Sequence, residues 1–155
     1  MSPDEHRRGD SVGSARDAVG MKPRPASCSD ADEIVRLLGQ LGYELSAHEV
    51  REQLGTDPEV LVAPGTGQLV GVLAYHTRRP LHRSGRVTSI DAFVVDERYR
   101  SRGVGAMLLE TLVQVARASG AELVDLHSNR SRTDARRFYE RHGFELTSNY
   151  FVRRL

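Results

Sequence analysis

The stretch RYRSRGVGAMLLETL, Arg98 to Leu112, decides how this sequence is interpreted. It follows an apolar run that ends at Val95, and it leads into apolar residues at helical spacing. Glycines and arginines therefore lie between a predicted strand and a predicted helix. Such a junction has three interpretations, which are a solvated turn, a patch for nucleic acid, and a cradle for phosphate.

The two glycines of this stretch, Gly103 and Gly105, favour the cradle on physical grounds. Glycines let the backbone approach an anion, and the unpaired N–H groups of a first helical turn point toward it. A Walker loop is excluded because Ala106 and Met107 follow Gly105 instead of Lys and Ser or Thr. A dinucleotide fingerprint would need glycine or alanine where Leu108 stands. Because short glycine motifs are unspecific, the spacing alone leaves the turn and the cradle both open.

The composition of the chain argues against several classes of protein. The chain has 155 residues, and its 22 Lys and Arg against 21 Asp and Glu give a net charge of +1, which argues against a surface built to hold a polyanion. The single cysteine, Cys28, excludes an internal disulfide and a cysteine-based zinc cluster, and we expect no metal. With neither a membrane-spanning apolar run nor a signal-peptide pattern, we expect a cytoplasmic protein without membrane contact.

The chain divides into a polar extension and one domain. Residues 1–26 are rich in Gly, Ser, Pro and charges without periodicity, so we expect a disordered N-terminal extension. The domain would span 27–155. Capping-box spacings at Asp30 with Glu33 and at Ser46 with Glu49 predict two helices at its start.

Strand patterns follow these helices. The runs VLVA (60–63), LVGVLAYHT (69–77) and RVTSIDAFVV (86–95) predict strands, with a hairpin turn at PGTGQ. A helix ending at Gly120, a strand over 121–128, a helix TDARRFYERH and a final strand NYFVRRL complete the chain. The predicted order is ααβββαβαβ, an α/β or mixed α+β domain around one mixed sheet flanked by helices.

Two of these segments resemble the GNAT superfamily of N-acetyltransferases. The superfamily has a strand, then Arg/Gln-x-x-Gly-x-Gly/Ala, then a helix, and here Arg100, Gly103 and Gly105 match that pattern. Its later element, a tyrosine in a helix ended by Gly-Phe, is matched by Tyr139 and the pair at 143–144. The resemblance covers about residues 27–155 and favours the phosphate cradle.

The resemblance implies an acetyl-CoA site. The backbone of Phe93, Val94 and Val95 would pair with the pantetheine arm and the acetyl group. The pyrophosphate would lie on the turn, whose residues are Arg100, Ser101, Arg102, Gly103, Val104, Gly105 and Ala106. One departure concerns an asparagine that relatives often carry where Arg132 stands here, and Asn129 is the alternative.

Acetyl transfer to an amine also needs an acid and a base. By the resemblance, Tyr139 is the acid for the departing thiolate, whereas its spacing alone would favour a core aromatic residue. Asp91 is a candidate base because strand alternation would place it on the face of Phe93. His127 on the neighbouring strand is its rival, since imidazole titrates near pH 6.5. His76 and His82 are interpreted as surface residues.

The function that we expect is acetyl-CoA-dependent transfer of an acetyl group to a primary amine by direct attack in a ternary complex. The acceptor would be a small-molecule or peptide amine, and the sequence leaves a homodimer open. Two alternatives compete with this function. One is a non-catalytic acyl-CoA-binding module, and the other is an acetyltransferase directed at protein N-termini or at nucleic acid, which the net charge disfavours.

Overall fold

The structure, a computed structural model, describes residues 22–128 and 132–155. Its five strands are β1 (Arg24–Pro25), β2 (Glu59–Pro64), β3 (Leu69–Arg78), β4 (Arg86–Val95) and β5 (Ala121–Leu126). Its four α-helices are α1 (Ala31–Gly39), α2 (Ala47–Gln53), α3 (Val104–Ala118) and α4 (Thr133–Arg141). Short 3-10 turns at Cys28–Asp30 and Glu97–Tyr99 precede α1 and follow β4.

The strands form one sheet in the order β1-β2-β3-β4-β5. The first four strands are antiparallel to their neighbours, whereas β5 runs parallel to β4. A parallel neighbour requires a crossover, and α3 provides it. The predicted mixed α+β class with helices around a mixed sheet is confirmed.

Two apolar layers hold the helices on the sheet. On one face, Leu108 and Leu112 of α3 are fully buried and belong to the same cluster as Leu73 of β3. On the other face, Leu37 of α1 lies in a cluster with Val72 of β3. Both helical layers depend on the 3.6-residue spacing of their apolar residues, which was the signal used to predict them.

One of the two predicted helix caps forms. Ser46 Oγ accepts a hydrogen bond from the N–H of Glu49 (3.2 Å), and the Glu49 carboxylate accepts one from the N–H of Ser46 (2.7 Å), which confirms the second capping box. The Asp30–Glu33 box is wrong, because Asp30 accepts from the N–H of Ser27 (2.8 Å) and forms an ion pair with Arg24. Hydrogen bonds from Arg24 outweigh the effect of burial and lower the pKa of Asp30 to about 2.

The two ends of the described chain differ from the prediction. Arg24 and Pro25 lie within the predicted extension, yet they pair with Val62 and Leu61 of β2. Residues 1–21 lie outside the described residues. The predicted final strand at 149–155 is wrong, because this segment joins no ladder and leaves Phe151 90% exposed. An apolar pattern becomes a strand only where a neighbour accepts its backbone hydrogen bonds.

Within residues 22–128 and 132–155, no helix combines the length and the apolar character needed to cross a bilayer.

Candidate active site

The site begins where β4 separates from β5. The last pair between these strands joins Ile90 to Leu126, and residues 91–95 have no pairing partner on that side among the described residues. On their other side, Phe93 pairs with Leu73 of β3. The end of β4 therefore has an open edge, where backbone groups are available to an extended ligand. The Val95 carbonyl of this edge accepts a hydrogen bond from Arg100 Nε at 3.3 Å.

A bulge marks the point of separation. Ala92 pairs with Ala74 and Ile90 pairs with Tyr75, so Asp91 has no opposite residue on β3. Such an extra residue interrupts the strict alternation of side chains. The expectation that Asp91 shares the face of Phe93 is therefore wrong, because Ile90 and Phe93 both pack in the cluster under α3.

Asp91 instead pairs with a histidine of the neighbouring strand. Nδ1 of His76 lies 2.9 Å and 3.0 Å from the two carboxylate oxygens of Asp91. The interpretation of His76 as a surface residue at a strand end agrees with the structure, in which its side chain is 28% exposed, and the structure adds the hydrogen bond to Asp91 at the bulge. The two residues are fifteen positions apart, and only the register of β3 on β4 brings them together.

The glycine-containing turn opens toward the end of β4. Ser101 has φ 61° and Gly103 has φ 84°, both in the left-handed region. The first hydrogen bond of α3 runs from the N–H of Met107 to the Gly103 carbonyl (3.0 Å), so the N–H groups before Met107 precede the helical ladder. A Cβ added to Gly103 would meet no atom within 4 Å, whereas one on Gly105 would lie 3.3 Å from the Phe138 ring. The turn is thus a cradle that is open at Gly103 and closely packed at Gly105.

Aromatic rings connect α4 to the open strand. The ring of Tyr139 lies 6.4 Å from that of Phe93 and 5.6 Å from that of Phe144, measured between centroids. Burial raises the pKa of Tyr139, and the charge of Arg132 acts in the opposite direction. A raised pKa keeps the phenol protonated at neutral pH, so Tyr139 can donate a proton beside the open strand.

A cleft of about 960 Å³ joins these parts. The predicted residues that line it are Phe93, Val94, Val95, Arg100, Ser101, Gly103, Gly105, Ala106, Arg132 and Tyr139. Arg132 extends across one end, where it donates to the Leu41 carbonyl at 3.5 Å. The structure therefore brings together the predicted strand, turn and tyrosine around one cleft.

Four of the predicted site residues that the structure describes do not line the cleft. Val104 is buried in the core, and the Arg102 guanidinium lies over the Tyr99 ring, 5.5 Å from its centroid. Asp91 lies at the bulge with His76. The ring of His127 stacks on that of Tyr150 at 4.2 Å. Asn129 lies outside the described residues.

Sequence analysis missed several residues that the fold adds to the cleft. They are Gln40, Leu41, Tyr99, Thr133, Asp134, Ala135, Arg137, Phe138, Arg141 and His142. The α4 members were recognisable from their proximity to Tyr139. No sequence pattern marks Gln40 as a site residue, because it follows α1 and is far from the other site residues in the chain. In the structure its side-chain oxygen accepts a hydrogen bond from the N–H of Glu97 (3.0 Å).

A buried carboxylate holds the start of the turn. Asp96 is fully buried, and it accepts hydrogen bonds from the N–H of Arg98 (3.0 Å) and from the Arg36 guanidinium (2.7 Å). Burial opposes its ionisation, but the bonds from Arg98 and Arg36 dominate and hold the pKa of Asp96 well below its usual range. The end of β4 is thereby fixed to α1 and to the residues that lead into the cradle.

The chain is similar to characterised proteins over most of its length. Residues 31–144 match the model of the acetyltransferase (GNAT) family. The chain is 32% identical over 138 residues to the aminoalkylphosphonate N-acetyltransferase of Salmonella typhimurium, with 85% of this chain and 90% of the relative covered. It is 31% identical to the glucosamine 6-phosphate N-acetyltransferase of Trypanosoma brucei brucei, with 83% and 91% covered.

A solved structure has the same fold. The ribosomal-protein-alanine N-acetyltransferase of Brucella melitensis biovar Abortus 2308 superimposes with a TM-score of 0.77 and 21% identity, with 88% of this chain and 99% of that chain covered. The family match over residues 31–144 and the two curated relatives agree with the strand, turn and tyrosine around the cleft. On these grounds the chain belongs to the GNAT family and is an N-acetyltransferase.

Proposed function

We propose that this enzyme transfers an acetyl group from acetyl-CoA to a primary amine by direct attack, with both substrates bound together. The observation that carries the proposal is the single cleft that joins the open edge of β4, the Gly103–Gly105 turn and Tyr139. Each part matches one requirement of a long, anionic thioester. A lone cysteine suits the reducing cytoplasm, where we place the reaction.

The cradle fits the pyrophosphate of the co-substrate. Backbone N–H groups at the start of α3 and the helix dipole favour an anion there, and the positive φ of Gly103 leaves the approach open. Arg100 and Arg132 line the same cleft and add positive charge. Acetyl-CoA, when bound, supplies the thioester carbonyl and the leaving thiolate.

The reacting end would lie along Phe93 to Val95. An N–H of this open strand can donate to the thioester carbonyl and stabilise the negative charge that develops on its oxygen. The amine nitrogen attacks the carbonyl carbon, the carbon–sulfur bond breaks, and the thiolate takes a proton from Tyr139. The nitrogen of the new amide loses its extra proton to solvent, and solvent returns a proton to Tyr139. The attacking amine must have lost its own proton to a base, because alkyl ammonium groups have a pKa near 10.4.

We further propose a small amine that carries an anionic group as the acceptor. Both curated relatives are named for such amines, an aminoalkylphosphonate and glucosamine 6-phosphate. The exposed arginines at 78, 79 and 83 lie at the end of β3 and in the segment after it, and they have no ion-pair partner among the described residues. They are available to a phosphonate or phosphate group.

The test is a thiol-release assay with acetyl-CoA and paired acceptors, followed by mass spectrometry of the product. The pairs are glucosamine 6-phosphate with glucosamine, and 2-aminoethylphosphonate with propylamine. We expect acetylation of the anionic member of at least one pair. Transfer without preference would contradict the anionic acceptor, and acetyl-CoA binding without any transfer would favour the acyl-CoA-binding module.

Gly103→Ala should weaken CoA binding about tenfold or more, because the added methyl points into the cradle at a backbone conformation that alanine adopts poorly. Calorimetry with CoA measures the effect. Gly120→Ala is the matched control, since Gly120 also has a positive φ (77°) and open space around its Cβ, but follows the far end of α3. If both variants lose the same stability but only Gly103→Ala loses CoA affinity, the phosphate binds at Gly103. Unchanged affinity in folded Gly103→Ala would place it elsewhere.

A further inference from the structure

We propose that His76 is the general base of the transfer and that Asp91 positions its ring, an inference that rests on the proposed function. The sequence offered Asp91 itself as a candidate base. In the structure, however, both oxygens of that carboxylate lie within 3.0 Å of His76 Nδ1. The carboxylate is therefore engaged by the imidazole, and the imidazole is the group of this pair that can accept a proton from the substrate.

The hydrogen bond fixes which nitrogen is free. An ionised carboxylate only accepts, so Nδ1 carries the hydrogen and Nε2 holds the lone pair. The side chains of His76 and Asp91 are 28% and 39% exposed, so the pair is open to solvent. In the proposal, Nε2 receives the proton of the amine directly or through a bridging water. The same pairing of a carboxylate and an imidazole serves base catalysis in unrelated enzymes, because it sets the tautomer and stabilises the protonated ring.

Neither residue of the pair lines the cleft, but the pair adjoins the segment of β4 that does. Asp91 is the bulge residue at which β4 leaves β5, two positions before Phe93. Ala74, two positions before His76 on β3, lines a small apolar pocket together with residues of α1 and α2. Because alternate residues of a strand share a face, His76 lies on the α1 and α2 side of the sheet. Tyr139, in contrast, reaches Phe93 from the side of α3.

This arrangement separates the two proton transfers. An ammonium group on the His76 side gives a proton to Nε2, and its nitrogen then attacks the carbonyl carbon held along β4. The carbon–sulfur bond breaks, and the thiolate takes the Tyr139 proton on the opposite side. The nitrogen of the new amide carries one extra proton, which it loses to solvent. His76 leaves the reaction as imidazolium and Tyr139 as phenolate, and a proton passed between them through solvent restores both groups, so each turnover releases one proton.

The rival base has a different setting. The ring of His127 stacks on Tyr150, and among the described residues it forms no ion pair with a carboxylate. No group in this part of the chain fixes its tautomer. Among the described residues, His76 thus has a carboxylate partner that orients its ring, whereas none is found for His127.

Several charged or titratable groups surround His76 and bear on its pH dependence. They are Arg78 on β3, Asp91 on β4, Asp125 on β5 and His127 directly after β5, together with Glu59 on β2, which pairs with Tyr75. Asp125 accepts a hydrogen bond from Ser89, the residue opposite His76. The charged side chains of α2 form other contacts, which are Glu49 with Ser46, Arg51 with Asp32, and Glu52 with His48. Asp91 is the carboxylate in direct contact with the imidazole.

His76→Gln should lower kcat/KM about 10²- to 10⁴-fold near neutral pH, the usual contribution of a general base. The probe is whichever panel amine the wild-type enzyme acetylates. The acidic limb of the pH profile should also disappear, because glutamine does not titrate. Asp91→Asn should also lower kcat, but it should retain the acidic limb of the pH profile. Acetyl-CoA affinity should stay unchanged in both variants, which shows that they are folded.

A second acceptor separates base catalysis from a structural role. Hydroxylamine is neutral at neutral pH and needs no base, so His76→Gln should transfer acetyl to it at nearly the wild-type rate. His48→Gln is the matched control, because it removes another histidine paired with a carboxylate, at 3.4 Å from Glu52. We expect wild-type kinetics from it with both acceptors.

The outcomes separate this inference from the proposed function. An active wild type with an unchanged rate and pH profile in His76→Gln would overturn the base and leave the transferase function standing. An equal loss with hydroxylamine and with the amine would also overturn it, since the defect would then be structural. A wild type that binds acetyl-CoA but acetylates none of the acceptors would overturn both.

Discussion

Tyr139→Phe is expected to lower the turnover number about 10²- to 10⁴-fold while acetyl-CoA affinity stays nearly constant. Only the hydroxyl is lost, and the ring keeps its contacts with Phe93 and Phe144. Burial raises the pKa of Tyr139, so the phenol is protonated at neutral pH and holds a proton that it can donate when the thiolate leaves beside it. Steady-state thiol release and calorimetry with CoA measure the two quantities.

The control for this prediction is Tyr43→Phe. Tyr43 is 53% exposed and follows α1, so the loss of its hydroxyl should leave turnover unchanged. A small drop in Tyr139→Phe could reflect slow product release, and single-turnover kinetics resolves that step. Full activity of the variant in a single turnover would remove Tyr139 from the mechanism.

The sequence predicted the parts of this site that are local in the chain. The Arg100–Gly105 pattern, the strand before it and the tyrosine helix each occupy one short segment, and their order implies the crossover that brings them together. The Ser46–Glu49 cap was predictable for the same reason. In each case the residues that determine the geometry are within a few positions of one another.

The parts that could not be predicted depend on pairing between distant segments. The bulge at Asp91 is a one-residue irregularity in the register of β3 on β4, and no local pattern encodes it. That irregularity moves Asp91 off the face of Phe93 and onto His76. The segment 149–155 was wrongly predicted as a strand for a related reason, because an apolar pattern does not reveal whether a neighbouring strand exists.

Asp96 shows how such a distant contact can support the site. It was not singled out in the sequence, since an aspartate after a strand is commonly a turn residue. In the structure it joins Arg36 of α1 to Arg98, ahead of the cradle. Its backbone N–H also donates to the Val70 carbonyl (2.9 Å), so both its side chain and its main chain fix the end of β4.

Asp96→Asn should therefore lower the free energy of unfolding by about 3 kcal/mol near neutral pH, the scale found when a buried ion pair loses one partner. The two arginines are partly exposed, at 34% and 60%, so solvent limits the cost of leaving them unpaired. Urea unfolding measures the loss. Glu97→Gln removes the same charge one residue later at an exposed position and should cost less than about 0.5 kcal/mol.

The pH dependence gives this prediction its sign. The pKa of Asp96 is depressed in the folded chain by Arg98 and Arg36, whereas an unfolded aspartate titrates near 3.9. The carboxylate therefore contributes its full stability above about pH 5, and that contribution is lost as the pH falls below about 4. Wild type and Asp96→Asn should differ most near neutral pH and converge in acid. A constant difference across this range would mean that Asp96 stabilises the end of β4 through its shape and not through its charge.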